Sequence, residues 1–395
     1  METSLKRKKI KGLLSKSFNS CGLRYGADEN PPLSARKFRK PLNPLSFSKA
    51  RQVIALVALG FALHCYGQTG NVPGPEWQKL ESLERAGWQA DKLAKIHEYV
   101  EEIGSTSVMI VQHGVVVAAW GDVAHRANVH SCRKSLLNAL IGIEVARGKI
   151  KLDDSLQVLG IDDNAPSLTT GEKQATVRDL LEARSGVYHP TVYETPRMKD
   201  LKPPRGSHAH GTFWYYNNWD FNTLGYIYEQ ATGERIFDAF YRRIAQPIGM
   251  QDFKPGDGRY ITNDETRFPA YRFELSTRDF ARFALLYLHK GQWNKSQIIP
   301  ADWVETSTRP YSDTTSGGYG YLWWTADSAS SRAPETSFPS GSFWAEGNLG
   351  QYAVVVPSLD LIVVNQVDST LTGRNVSKSQ MARLVRMVTD AAPRN

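Results

Sequence analysis

Apolar and polar positions repeat along this chain with two periods, and the order in which the periods succeed one another outlines a fold. Between Ala90 and Ile103, Leu93, Ile96, Tyr99 and Val100 fall on one helical face, which predicts a packed amphipathic helix. SVMIVQ and VVVAAWG follow, two β-branched runs separated by His113-Gly114, and they predict a hairpin. From about Ser131 to Leu288 the period is mainly helical, broken by a long polar loop over 185–212. Near the end YAVVVP and DLIVVNQV restore strand character around a Pro-Ser turn, and Lys378 to Ala391 closes the chain as a helix. Gly318-Tyr319-Gly320 and Trp323-Trp324 are expected to form a strand and a cleft wall. This order implies an α+β architecture: an antiparallel sheet built from both chain ends, flanked by helices, with a mainly helical region inserted. The cleft between sheet and insert is the expected site.

Charge divides the chain differently. The formal net charge is +8, but residues 1–51 hold 13 of the 48 basic and only 3 of the 40 acidic side chains, so the remainder is slightly acidic. A nucleic-acid partner would have to rest on that arm alone and is not expected. Residues 1–52 therefore read as a disordered basic leader. Residues 53–67 contain VIALVALGFAL, too short for a comfortable membrane span and suited to a signal-peptide core or an anchor over 53–66. Export to the periplasm or medium is expected, with membrane association through this segment as the alternative to cleavage before Gln68. His64 weakens a lipoprotein reading of Cys65. Residues 68–79 form a linker, and 80–395 the globular domain. Cys132 is the one cysteine of that domain, so no internal disulfide is expected there, and no metal motif or cofactor is implied.

Ser131-Cys132-Arg133-Lys134 fits S-x-x-K and opens a helix in which Leu136, Leu137, Leu140, Ile141 and Val145 recur at three- and four-residue spacing. At a helix N-terminus the free N–H groups and the positive dipole end favour an alkoxide, and an i, i+3 pair shares a face roughly 5–6 Å apart at Cβ. Lys134 can therefore reach the Ser131 hydroxyl. To accept a proton near neutral pH it needs a pKa lowered by burial and a neighbouring cation. The bland reading, a capping serine and a surface lysine, has force because S-x-x-K also occurs at Ser34 and Ser46 in the leader. Of the three, Ser131 alone begins an apolar helix. A second element, Y-x-N, precedes another apolar helix and scans as Tyr216 with Asn218 or Tyr215 with Asn217. Cys132 points about 100° from Ser131 and reads as packing. His208 and His210, in a polar loop without a spaced partner, read as solvated.

SCRKSL, RSGVYH, YYNNWDFNTLG, PIGM, STRDFARF and FWAEGNLGQ, in this order, resemble the β-lactamase-related serine hydrolases from about residue 80 onward. That superfamily includes class C β-lactamases, D-Ala-D-Ala peptidases and family VIII-like esterases, and the wording is closest to the 6-aminohexanoate-oligomer hydrolase branch. The resemblance implies a β-lactamase/transpeptidase-like fold and an acyl-serine mechanism without a cofactor. It selects Tyr216 and Asn218, because the family places Leu-Gly at the spacing that Leu224-Gly225 has from Tyr216. Ser131 would attack, Lys134 and Tyr216 would shuttle the proton, and Asn218 would hold the lysine or a substrate amide. The third family element aligns with Ala345-Glu346-Gly347 in the substrate-binding wall, so its cation is missing. This favours an uncharged ester or amide over a penicillin. The oxyanion hole would use the N–H groups of Ser131 and Asn348. Tyr188 is placed either at the cleft, near the leaving group, or as a packed loop tyrosine. Two alternatives stand beside the esterase/amidase reading: a β-lactamase or D-Ala-D-Ala peptidase with a degenerate third element, and a non-catalytic envelope binder on the same fold.

Overall fold

The chain is described by a computed structural model over residues 71–315, 317–327 and 336–393. The basic leader, the 53–67 segment and the first residues of the linker lie outside the described residues. The opening helix is α1 (Ala90–Glu102), followed by β1 (Ser107–Gln112), β2 (Val115–Gly121) and β3 (Arg126–Asn128). The insert carries α2 (Arg133–Ala146), α3 (Val177–Leu181), α4 (Pro196–Leu201), α5 (Asn218–Thr232), α6 (Ile236–Phe240), β4 (Gly258–Ile261), β5 (Ala270–Ser276) and α7 (Thr277–Leu288). After it come β6 (Gln292–Trp293), β7 (Ser296–Gln297), α8 (Ala301–Ser307), β8 (Ser312–Thr314), β9 (Gly317–Tyr319) and β10 (Trp324–Thr325). The chain then runs through β11 (Phe343–Gly347), β12 (Gln351–Val356), β13 (Leu361–Gln366) and α9 (Lys378–Ala391).

Eight strands form one antiparallel sheet in the order β2-β1-β13-β12-β11-β10-β9-β8, so the first hairpin pairs with the last strand, as the two-ended pattern predicts. The hairpin turns at His113 and Gly114, with φ of 51° and 73°, the pair of left-handed residues that a tight two-residue turn needs. The central strands are apolar without interruption because both faces are covered. In β1, Val108 and Ile110 pack towards α1 and α9, while Met109 and Val111 join the core under the insert. The strands β12 and β13 divide in the same way, with Val354 and Val363 on the first side and Val355 and Val364 on the second.

The insert is mainly helical but not wholly so. A three-stranded sheet, β3-β5-β4, crosses it, and AYRFELS of β5 accounts for the strand the helical reading passed over. The polar loop over 185–212 contains α4, capped by Thr195 Oγ1 accepting the Met198 N–H at 3.2 Å. Both signals are local, a period-two run and a Thr-Pro start.

Candidate active site

β3 delivers the chain to the candidate nucleophile. Asn128 Oδ1 accepts the His130 N–H at 3.0 Å, and His130 itself has φ 47°, a left-handed conformation that strains a residue bearing a Cβ. That bend starts a single 3₁₀ turn, His130–Cys132, which runs directly into α2. Ser131 therefore stands at the N-terminal end of a helix buried continuously from Arg133 to Glu144. Two polar side chains fix the helix in place: Ser135 Oγ donates to the Leu322 carbonyl at 2.8 Å and Asn138 Nδ2 to that of Tyr321 at 2.9 Å. Cys132 is fully buried, with Sγ 3.4 Å from the Gln351 carbonyl, so it packs away from the cleft.

Lys134 Nζ lies 2.9 Å from Ser131 Oγ. The lysine is 2 % exposed, and its Nζ sits 4.9 Å from the ring centres of both Tyr216 and Phe221. Among the described residues no carboxylate is paired with it. Burial, and after it the Arg133 guanidinium, pushes the Lys134 ammonium well below its ordinary range. At 2.9 Å, the amine freed by that shift is placed to act as a base for the serine hydroxyl.

Tyr216 enters from the segment before α5, stacked on Trp324 at 5.6 Å, and lines the cavity together with Ser131. Burial raises its pKa, and the nearby Ser131 hydroxyl works in the opposite sense. The phenol thus stays protonated and can pass a proton on. Tyr215 instead donates to the Met198 carbonyl at 2.7 Å, and Asn217 caps α5 and donates to the Val187 carbonyl at 2.7 Å. The register that reaches the cavity is therefore Tyr216 with Asn218. Asn218 Nδ2 donates to the Tyr193 carbonyl at 2.7 Å, and its Oδ1 is buried without a partner among the described residues.

The facing wall is the end of β11. A Cβ on Gly347 would fall 2.4 Å from the Val129 carbonyl and 3.2 Å from Cys132 Sγ, so only glycine lets the strand lie this close to the serine segment. The following turn carries left-handed Leu349 (φ 63°), and Asn365 Nδ2 ties it down by donating to the Gly350 carbonyl at 2.7 Å. Among the described residues neither the Ser131 nor the Asn348 N–H goes to a turn, loop or side-chain partner. The cavity between the walls measures about 400 Å³ and is lined by Ser131, Lys134, Tyr216, Asn218, Glu346, Gly347 and Asn348 among others. Nucleophile, base, proton relay and a pair of N–H donors together suit acyl transfer to a serine hydroxyl.

The sequence profile of the family described as Beta-lactamase matches residues 93–376, well over half of the chain. This chain belongs to the β-lactamase family. An uncharacterized protein of Alkalihalophilus pseudofirmus is 24% identical over 307 residues, covering 70% of this chain and 87% of its own. A Bacillus anthracis structure provisionally named a 6-aminohexanoate-dimer hydrolase superposes with a TM-score of 0.59 at 18% identity, covering 82% of this chain and 89% of its own. A β-lactamase structure from Mycobacterium bovis superposes with a TM-score of 0.53 at 18% identity, covering 75% of this chain and 100% of its own. These likenesses establish the β-lactamase/transpeptidase-like fold, and the family's members are serine hydrolases.

Against that family pattern two expected wall residues sit elsewhere. Tyr188 is 5 % exposed, its hydroxyl 3.1 Å from His208 Nδ1 and its ring edge-on to Tyr215, and it does not line the cavity. It is a packed loop tyrosine. Ala345 is buried in the core beside Phe343, while Glu346 and Gly347 of β11 reach the cleft, Glu346 paired with Lys378 at 3.7 Å. His210 is partnered by Asp179 at 3.0 Å, and His208 by Tyr188, so neither is simply solvated. Trp324 lines the cavity, as the expected cleft wall requires, while His130, Arg133, Tyr193 and Lys378 line it without having been singled out by the sequence. For Arg133 a signal existed: it stands in the first turn of a helix whose apolar residues spread over most of its faces, among them the side that Arg133 shares with Leu137 and Leu140.

Proposed function

We propose that this chain is an exported serine hydrolase that cleaves an uncharged carboxylic ester or linear amide through an acyl-Ser131 intermediate. The observation that carries the reading is the 2.9 Å approach of a buried, unpaired Lys134 Nζ to Ser131 Oγ. Neutral Lys134 takes the hydroxyl proton as Oγ attacks the carbonyl carbon, and the oxyanion is met by the N–H groups of Ser131 and Asn348. The proton then passes through Tyr216 to the leaving oxygen or nitrogen as that bond breaks. A water molecule, deprotonated by the same pair, releases the acid and restores the serine. Asn218, with its Oδ1 unspent, supplies an acceptor for a substrate N–H. Ester or amide is favoured over β-lactam because β11 offers no free cation for a substrate carboxylate: Ala345 faces the core, and Glu346 brings a negative charge to the cleft beside Lys378. Export rests on the 53–67 segment of the sequence.

A fluorophosphonate probe followed by peptide mapping tests the nucleophile. The label is expected on Ser131 and absent from Ser131→Ala; labelling that survives the substitution sinks the reading. Turnover of p-nitrophenyl butyrate is expected to exceed that of a chromogenic cephalosporin, and the reverse order would favour a β-lactamase or peptidase. A ligand that raises the melting temperature without adding covalent mass would mark a binding protein instead.

A further inference from the structure

Arg133 is the side chain whose surroundings the proposed mechanism leaves unexplained. It is 1 % exposed, in the first turn of α2 between the candidate nucleophile and its base, and it borders the cavity. Nη2 donates to Asn222 Oδ1 at 2.9 Å, and the guanidinium carbon lies 4.2 Å from the ring centre of Tyr271 and 5.7 Å from that of Tyr193. Nη1 is buried without a hydrogen-bond partner, and among the described residues no carboxylate is paired with the group. A buried guanidinium normally finds a counter-charge, because leaving it uncompensated is strongly destabilising. This one is held by a neutral amide and two aromatic faces, partners that fix its position and leave its charge intact.

We infer that Arg133 is a positioning residue for charge: from inside the S-x-x-K turn, its buried guanidinium without a paired carboxylate supplies a fixed cation beside Lys134 that favours the free amine over the ammonium. The other groups around Lys134 do not take this part. Tyr216 from the segment before α5, Tyr271 on β5 and Tyr319 on β9 are phenols whose pKa burial raises, so they are uncharged. Burial, and after it the Arg272 guanidinium, lowers His130 to about 4, which leaves its ring neutral as well. Lys378 on α9 has its charge offset by Glu346 on β11, and Arg272 on β5 by Glu274 at 2.6 Å. Arg133 is the cation among these groups with no paired carboxylate, and because it and Lys134 are both almost fully buried its field acts on the neighbouring amine with little screening. A carboxylate at the Asn222 position would offset the Arg133 charge and so favour the proton on Lys134.

The inference rests on Lys134 acting as the base, so the test reads the lysine itself as well as the reaction. In isotope-labelled protein, the Lys134 titration is followed by NMR in wild type, Arg133→Met, Arg133→Lys and Asn222→Asp, together with the pH dependence of kcat/KM on p-nitrophenyl butyrate. Asn222→Asp preserves shape and adds only charge, so it carries the test if Arg133→Met fails to fold. Arg133→Met and Asn222→Asp are each expected to raise the Lys134 midpoint and the acid limb of kcat/KM by about one pH unit or more, roughly a tenfold loss at a pH below the limb. Arg133→Lys is expected to keep the wild-type midpoint. An unshifted midpoint in folded Asn222→Asp overturns the inference. A shifted midpoint in a protein that hydrolyses no ester or amide overturns the proposed function and leaves the inference standing.

Discussion

At the scale of single residues, the site stores an unfavourable arrangement that its chemistry requires. Lys134 has a folded pKa well below that of the unfolded chain, through burial first and Arg133 second. Between the folded and unfolded values the unfolded chain binds one more proton, so this residue makes stability rise with pH across that window and leaves the fold less stable below it. Lys134→Met removes the cost and keeps the volume. It is expected to raise the melting temperature at pH 7, by an amount that shrinks as the pH approaches 10, while lowering kcat by about 10²–10⁴. Calorimetry over pH with parallel assays checks this, and a melting temperature that falls at pH 7 contradicts it. The pairing of Ser131 with Lys134 was legible because three-residue spacing on a helix is a local rule. The Tyr216 register was not legible from local spacing, since two Y-x-N frames overlap; the resemblance chose it through Leu224-Gly225, and the turn into α5 separates the two frames. Lys378 was illegible for a different reason: nothing within 20 residues of it in the chain belongs to the cavity except the end of its own loop, and α9 brings it there.

At the scale of elements, the site is a junction between the start of α2 and the end of β11, and its precision depends on how closely those two backbones lie. Gly347 sets that separation. Gly347→Val is expected to push β11 from the serine segment, costing about 1–3 kcal/mol of stability. The Asn348 N–H would move with it, and kcat is expected to fall by roughly 10²–10³, the usual loss for one oxyanion donor. Denaturant unfolding and kcat measured on the same preparation check both; a variant that loses stability and keeps kcat removes Asn348 from the oxyanion role. The main elements were readable from periodicity because the sheet and its helices obey one pattern over many residues. β3 is too short for any period, and β5 runs without a break into α7, whose N-cap Ser276 is also the last residue of the strand. A junction of that kind carries one apolar run across two elements.

At the scale of the whole molecule, the two chain ends close one sheet, and the last helix serves both the fold and the cleft. One face of α9 buries Met381, Leu384, Val385 and Val388 against α1 and the sheet, while its first residue, Lys378, lies over the Trp344 ring at 4.5 Å and lines the cavity. Substitutions on the two faces should therefore separate stability from substrate binding. Leu384→Ala leaves a hole where the side chain is fully buried and is expected to cost about 2–5 kcal/mol, with kcat and KM unchanged at temperatures where the protein stays folded. Lys378→Ala is expected to stay within about 1 kcal/mol of wild type. It leaves Glu346 without that partner in the cleft and should raise KM for acyl donors bearing a carboxylate more than for neutral esters. Paired urea titrations and Michaelis curves on a neutral and a carboxylate-bearing ester decide the matter. If Leu384→Ala changes KM at low temperature, or Lys378→Ala treats the two esters alike, α9 does not divide its work between core and cleft.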